Sequence, residues 1–309
     1  MKPVALITGA GGLIGSYLVR AAATAATVAS EWQVYGLSRR DLDLTDTQAV
    51  RRTFIALHPS LIIHCAAMSK TTQCRQDPAL ARRVNVEATA RLAELARDIP
   101  FIFFSSDLVF DGKQGRYVET DPVSPINIYG ETKVAVEQVV LANPRHTVIR
   151  TSLTAGRSPT GDRSFVEEMR RALEAGQPLT LFTDEYRCPI PASTTARALW
   201  ELAPLNCPGL YHLAGAERLS RWEIGRLLAA RWPELEAELR PGSVKDFQGG
   251  PRAADASLDC AKIQALLSFP LPRFSEWAVW FFRVFRGCIE QPSSLAPVSG
   301  ERVGVRGPR

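Results

Sequence analysis

With 309 residues, of which 46% are hydrophobic and 22% charged, the chain has the make-up of an ordinary globular protein with room for one large domain or two intertwined ones. The net charge of +5 is concentrated late: residues 283–309 carry five arginines against Glu290 and Glu301, so the body is close to neutral and lacks the basic face of a nucleic-acid binder. Cys65, Cys74, Cys188, Cys207, Cys260 and Cys288 show no CxxC spacing, which reads as reduced thiols in an intracellular protein and argues against a metal site. No run of about eighteen apolar residues suggests a membrane span, and a strand starting at Pro3 leaves no room for a signal peptide. The expectation is a cytoplasmic protein with neither a nucleic-acid nor a membrane partner.

Pro3–Thr8 is a short apolar run, followed by Gly9-Ala10-Gly11-Gly12-Leu13-Ile14-Gly15 and an alanine-rich helical stretch expected over Ser16–Ala29. Strand, glycine turn and helix in this order suit a dinucleotide: Gly9, Gly12 and Gly15 allow a tight turn and close approach to a pyrophosphate, Leu13 and Ile14 of the same turn are cofactor-binding candidates, and the helix N-terminus that follows offers N–H groups to the phosphate charge. The GxxGxxG spacing resembles the extended short-chain dehydrogenase/reductase superfamily.

A second strand over Gln33–Ser38 ends in Arg39-Arg40, where an NAD-selective site usually presents an acid to the ribose diol. Two guanidiniums there suit a 2′-phosphate, which favours NADP(H) over NAD(H); the competing reading is a pair of solvated arginines in a turn. In Asp41–Asp46 the resemblance implies that Asp43 and the Leu44 backbone face adenine, while capping of a helix over Thr47–Leu57 explains Asp43 and Asp46 equally well and coexists with it. Ser60–Ala67 reads as a third buried strand ending in small residues, and the resemblance places Ala66 and Ala67 beneath the nicotinamide ribose. His64, inside the apolar run, reads as structural. A helix from Asp77-Pro78 to Asp98 carries Asn85, either the superfamily's supporting asparagine or a solvent-facing polar residue.

Pro100–Ser105 forms the fourth strand, with Phe104 near its end, and delivers Ser106. Tyr129 and Lys133 follow four residues apart on a helix whose Val134, Val136, Val139 and Val140 supply apolar contacts. Arg145–Arg150 is a further strand. Carbonyl reduction needs a hydride donor and an acid for the developing oxygen charge. Tyr129 suits the acid, Lys133 favours its phenolate and holds the ribose, and Ser106 polarises the carbonyl. Beyond Arg150 come a helix over Ser164–Ala175, a strand over Leu179–Thr183, a helix over Thr194–Leu202, a strand at Gly209–Gly215, a capping box at Ser220/Glu223, and an aromatic helix over Arg273–Arg286 with Trp277, Trp280, Phe281 and Phe285 on a core-like face.

Ser105–Gly112, Tyr117, Glu119, Pro125 and Tyr129-Gly130-Glu131-Thr132-Lys133 resemble the dTDP-4-dehydrorhamnose reductase-like family, which also includes the methionine adenosyltransferase regulatory beta subunit. The likeness runs from about residue 3 to 285. It implies an α/β fold, a Rossmann-type doubly wound parallel sheet with a smaller, intertwined C-terminal substrate domain. The expected division is 1–152 plus about 191–214 for the NADP-binding domain, 153–190 and 215–285 for the substrate domain, and 286–309 as a disordered tail. It implies Ser106, Tyr129 and Lys133 as the triad and Asp107 as a sugar contact, with Phe165 and Arg187 as pocket residues that packing explains as well. The implied activity is NADPH-dependent reduction of a nucleotide-linked 4-keto-6-deoxy sugar. The alternatives are a non-catalytic NADP-binding regulatory subunit and a sugar-nucleotide epimerase or dehydratase; a homodimer stays open. Leu153, Thr154, Ile190 and Thr194 depart from the reductase pattern in the substrate half.

Overall fold

The structure is a computed structural model that describes residues 2–23 and 31–279. From the N-terminus, β1 (Val4–Thr8), α1 (Leu13–Ala22), β2 (Gln33–Leu37), α2 (Thr47–Leu57) and β3 (Leu61–His64) lead to the short helices α3 (Thr71–Gln76) and α4 (Pro78–Arg82), which a π-helical turn at Arg83–Glu87 joins to α5 (Ala88–Leu95). Then come β4 (Phe101–Ser106), α6 (Ile128–Leu141), β5 (Thr147–Thr151), β6 (Thr154–Ala155), α7 (Phe165–Glu174), β7 (Leu179–Phe182), β8 (Tyr186–Arg187), β9 (Ile190–Pro191) and α8 (Ala192–Leu202). The described chain ends with β10 (Gly209–Leu213), β11 (Leu219–Ser220), α9 (Arg221–Ala229), β12 (Leu239–Gly242), α10 (Ala261–Gln264) and a helical stretch at 274–279.

Six strands form one parallel sheet in the order β2-β1-β3-β4-β5-β10. Its strands read as unbroken apolar runs because both faces are covered. Adjacent residues of one strand therefore feed opposite layers: Ile7, Ile63 and Ile149 pack with Leu18, Leu199 and Trp200 of α1 and α8, while Leu6, Ile62 and Val148 pack with Val50, Leu92, Val136 and Val140 of α2, α5 and α6. The fold is thus the doubly wound α/β sheet the family likeness implies. A separate apolar cluster gathers Val166, Met169 and Leu173 of α7, Ile224 and Leu228 of α9, and Trp232, Phe274 and Trp277. Two capping boxes, Ser164/Glu167 and Ser220/Glu223, start α7 and α9, of which only the second was expected.

Several boundaries differ from the sequence reading. The helix expected over 77–98 is two α segments around the π turn and stops at Leu95. The third strand stops at His64, so Cys65–Ala67 continue as irregular chain. Val139 is 42% exposed, since α6 buries the stripe containing Val136 and Val140. Helix α1 ends at Ala22, and residues 24–29 of the expected Ser16–Ala29 helix lie outside the described residues, as do Trp280, Phe281, Phe285 and the 286–309 tail.

Beneath the carboxyl end of the sheet, α6 and β5 are tied by a buried ion pair. Arg150 donates to both Glu137 oxygens, at 2.9 and 2.7 Å, and both side chains are about 5% exposed or less. Ser105 also donates to Glu137, while Arg150 lies over Phe110 and reaches His212 Nε2 at 3.4 Å. Removing one partner strands the other charge without water. Glu137→Ala is therefore expected to lower the unfolding free energy by about 3–5 kcal/mol, read from urea denaturation; a change within about 0.5 kcal/mol, the size of an ordinary surface substitution, would refute the account.

Candidate active site

The strand order reverses direction between β1 and β3, and their carboxyl ends define the crevice where a doubly wound sheet takes ligands. Gly9 there has φ +73°, and a Cβ on it would lie 2.7 Å from Ala66 N. A Cβ on Gly15 would lie 2.4 Å from Gly9 O, so both glycines are required by space. Helix α1 starts at Leu13 with Gly12 as N-cap and no side-chain cap, leaving Leu13, Ile14 and the turn to present backbone N–H groups. Ala66 and Ala67 are half-buried at the end of β3. A dinucleotide fits this arrangement: small residues line the crossing, and among the described residues no side chain caps the helix terminus by a hydrogen bond.

At the end of β2, Asp41 closes a turn by accepting from Ser38 N–H at 2.8 Å and from its hydroxyl at 2.6 Å, which holds the Asp41 carboxyl below its ordinary range. Arg39 and Arg40 stand exposed on this turn. Asp43 is exposed and turned back on Thr45, whose N–H and hydroxyl donate to it at 2.9 and 2.7 Å, so its carboxyl also lies low. Leu44 is half-buried against the core, and Asp46 caps α2 through Gln48 and Ala49 N–H.

His64 is wholly internal, bridging Thr8 Oγ1 at 2.6 Å and Thr89 Oγ1 at 2.8 Å; burial, then the Lys133 charge, presses its pKa down to about 3. It is a structural histidine. Asn85 is buried, which removes the solvent-facing reading: the π turn aims its side chain inward. Its Oδ1 accepts from Met68 N–H at 2.8 Å, and its amide donates to Met68 O at 3.1 Å and Thr132 Oγ1 at 3.0 Å. Asn85 thus braces the loop after β3 against α6, with every side-chain group used on protein atoms.

Ser106, Tyr129 and Lys133 converge at the carboxyl end of β4. Gly130 makes this possible, because a Cβ there would lie 2.2 Å from Leu108 O. Lys133 Nζ donates to Phe104 O at 2.8 Å and lies 5.6 Å from the Tyr129 ring centroid. Burial pushes the Lys133 pKa down to about 8, against the opposing pull of Cys65, Glu137 and Cys74. Burial and then the Asp107 charge push the Tyr129 phenol well above its ordinary value, while the neighbouring Ser106 hydroxyl opposes the rise. The phenol is therefore protonated in neutral solution.

Asp107 is 5% exposed and already engaged: Oδ1 accepts from Ser106 at 3.1 Å, Oδ2 from Ser152 at 2.7 Å, and Arg187 Nε lies 3.6 Å away. Arg187 is shared with Glu185 at 3.3 Å, and Arg252 donates to the same Glu185 carboxylate at 2.9 Å. Burial pushes Glu185 up, but Arg252 and Arg187 outweigh it and keep the carboxyl low. Arg221, the first residue of α9, lies over Phe165 at 5.5 Å, and its Nη1 is buried with no hydrogen bond among the described residues. Phe165 is half-buried and packs on Phe274 with ring centroids 6.0 Å apart, so it serves the apolar cluster as well as facing Arg221. Ser152, Glu185, Arg221 and Arg252 were not singled out from sequence, since they reach this place from four separate stretches with no motif of their own. Among the described residues no group of three or more His, Cys, Asp or Glu could hold a metal ion, and no helix is long and apolar enough to cross a membrane.

A family model described as the RmlD substrate binding domain matches residues 1–284. The probable low-salt glycan biosynthesis reductase Agl14 of Haloferax volcanii is 34% identical over 72% of this chain and 77% of its own length. Methionine adenosyltransferase 2 subunit beta of Rattus norvegicus is 29% identical over 84% of this chain and 81% of its own. Among solved structures, dTDP-4-dehydrorhamnose reductase from Bacillus anthracis in complex with NADP superposes with a TM-score of 0.83 at 24% identity, covering 92% of this chain and 100% of that one, a likeness of fold. With the family model spanning all of the described residues, this protein belongs to the RmlD substrate binding domain family, the dTDP-4-dehydrorhamnose reductase-like family that its motifs resemble.

Proposed function

We propose that the protein is an NADPH-dependent reductase of a nucleotide-linked 4-keto-6-deoxy sugar. The observation that carries this reading is the convergence of Ser106, Tyr129 and Lys133 beside the glycine turn and the small-residue end of β3. When bound, the reduced nicotinamide supplies the hydride. Ser106 donates a hydrogen bond to the substrate carbonyl oxygen, polarising it. Tyr129, kept protonated by burial and by Asp107, gives its proton to that oxygen as charge develops. Lys133 has donors left after Phe104 O, holds the ribose hydroxyls, and its charge eases phenolate formation.

Two further features support the finer assignment. Arg39 and Arg40 suit a 2′-phosphate, and the dTDP-4-dehydrorhamnose reductase of the same fold is in complex with NADP. Around Asp107 and Glu185, Arg187, Arg221 and Arg252 offer three positive charges to two negative, and Arg221 Nη1 has a donor to spare, which suits the diphosphate of a nucleotide-linked substrate. A second reading, a cofactor-binding subunit without turnover, is favoured by the likeness to methionine adenosyltransferase 2 subunit beta.

The separating experiment follows NADPH oxidation with a panel of nucleotide-linked 4-keto sugars. Turnover by the wild type, reduced at least ~10²-fold in Tyr129→Phe with NADPH affinity kept, supports the reductase. Tight NADPH binding with no turnover of any member supports the subunit reading instead. Replacing Arg39 and Arg40 by alanine is expected to weaken NADPH binding about tenfold or more, the value of one charge-assisted hydrogen bond, and to leave NADH binding unchanged; equal loss for both cofactors would remove the 2′-phosphate assignment.

Lys133 gives a pH signature that needs no substrate. Its pKa in the folded chain, about 8, lies below its ordinary 10.5, so between these values the unfolded chain binds more protons and folded stability rises with pH. Lys133→Met removes that slope. The stability of wild type minus variant, from urea titrations, should climb by an amount on the order of 3 kcal/mol from pH 8 to 10.5; a flat difference would mean that Lys133 is not buried as a charge.

A further inference from the structure

Phe247, 39% exposed, is the only exposed aromatic side chain among the described residues. It stands in the 243–252 loop against Phe182 of β7, with ring centroids 5.6 Å apart and ring planes at 73°. The Arg252 guanidinium lies over both rings, 5.2 Å from the Phe182 centroid and 5.1 Å from that of Phe247. Neither ring belongs to the apolar cluster that α7 and α9 share, so core packing does not account for the pair. The loop is nonetheless held in place. Gly242 of β12 pairs with Phe182 of β7, and Asp184 accepts from the Ser243 hydroxyl at 2.5 Å and from Val244 N–H at 2.8 Å. Across the cleft, Arg75 of α3 donates to Gly249 O, and the adjacent Cys74 packs with Tyr129.

We infer that Phe247 and Phe182, with Arg252, form the subsite for the base of the substrate's nucleotide; this rests on the reading of the substrate as nucleotide-linked. From the redox centre outward the groups come in the order of such a molecule. Asp107 stands beside the reacting end, Arg187 and Arg252 follow around Glu185, and the aromatic pair comes after Arg252. Sugar, diphosphate and base thus each meet suitable chemistry along one line. A base laid on the exposed Phe247 ring takes apolar surface of both partners out of water, and any base can stack there because each has a π-face. Arg252 adds a cation–π contact and ties the rings to the phosphate-binding charges. A Cβ on Gly249 would lie 2.1 Å from Phe247 Cζ, so the glycine leaves the ring the space it occupies.

The test titrates the full chain with dTDP, UDP, inorganic pyrophosphate and NADPH by calorimetry. Phe247→Ala should weaken dTDP and UDP about tenfold, Phe247→Tyr should keep the wild-type affinity, and pyrophosphate and NADPH should bind all three proteins alike. Gly249→Ala, whose added methyl pushes aside the tip of the Phe247 ring, should weaken the two nucleotides in the same direction, and it carries the test should Phe247→Ala not fold. Unchanged dTDP and UDP affinity overturns the subsite. An equal loss for pyrophosphate overturns it too, because Phe247 would then only support Arg252, and weakened NADPH does so by giving the rings to the cofactor's adenine. A wild type that binds neither dTDP nor UDP has no such subsite. With a keto-sugar substrate, Phe247→Ala should raise KM about tenfold. Turnover with an unchanged KM keeps the reductase reading and overturns the subsite, whereas a wild type that reduces no keto sugar but binds dTDP through Phe247 loses the reductase reading and keeps the subsite.

Discussion

The close docking of α6 on β4 is the contact on which the rest of the site depends. Tyr129, Lys133 and Glu137 occupy one face of α6 at four-residue spacing, and each meets a different part of the strand end: Ser106, Phe104 O and Ser105. The approach is possible only because Gly130 has no side chain to push against Leu108 O. Glu137 then links α6 to β5 through Arg150, so the chemistry above is held by a charge pair below. Burying Lys133 costs stability near neutral pH, and the Phe104 carbonyl and the Glu137 charge offset part of that cost.

Sequence patterns made the nucleotide half readable because its constraints are local. Gly9, Gly12 and Gly15 sit between a strand and a helix, Ser106 ends an apolar run, and Tyr129 and Lys133 share a helical face; each follows from spacing along a few residues. Asn85 was harder. A regular helix over 77–98 leaves its direction undecided, and only the π turn, which has no sequence signature, turns it inward. The arginine group was not readable at all, since Arg187, Arg221 and Arg252 meet around Glu185 through the packing of β8, α9 and the 243–252 loop. Non-local juxtaposition of common residues leaves no periodic trace.

Charge in the substrate half is arranged in series. Asp107, Arg187, Glu185 and Arg252 alternate in sign from the redox centre outward, each touching the next. Alternation in a buried setting makes every member depend on its neighbour, so changes at Arg252 reach Glu185 and Arg187 before they reach Asp107. The outer end is excess positive and the inner end is a carboxylate beside the phenol. This polarity suits a ligand whose anionic part lies outside and whose reacting carbonyl lies within.

The π turn at Arg83–Glu87 also bears on how such a chain changes over generations. A π turn holds one residue more than the α turn it replaces, and Ala88 N–H accordingly reaches back to Arg83 O. Losing that residue would restore a regular helix and rotate what precedes it by about 100° relative to Ala88–Leu95, whose Ala88, Thr89 and Leu92 are buried. Either Asn85 would leave Met68 or the helix would lift from the sheet. Single-residue deletions in this segment should therefore be far rarer among relatives than substitutions at its exposed positions, and its length is the inherited quantity.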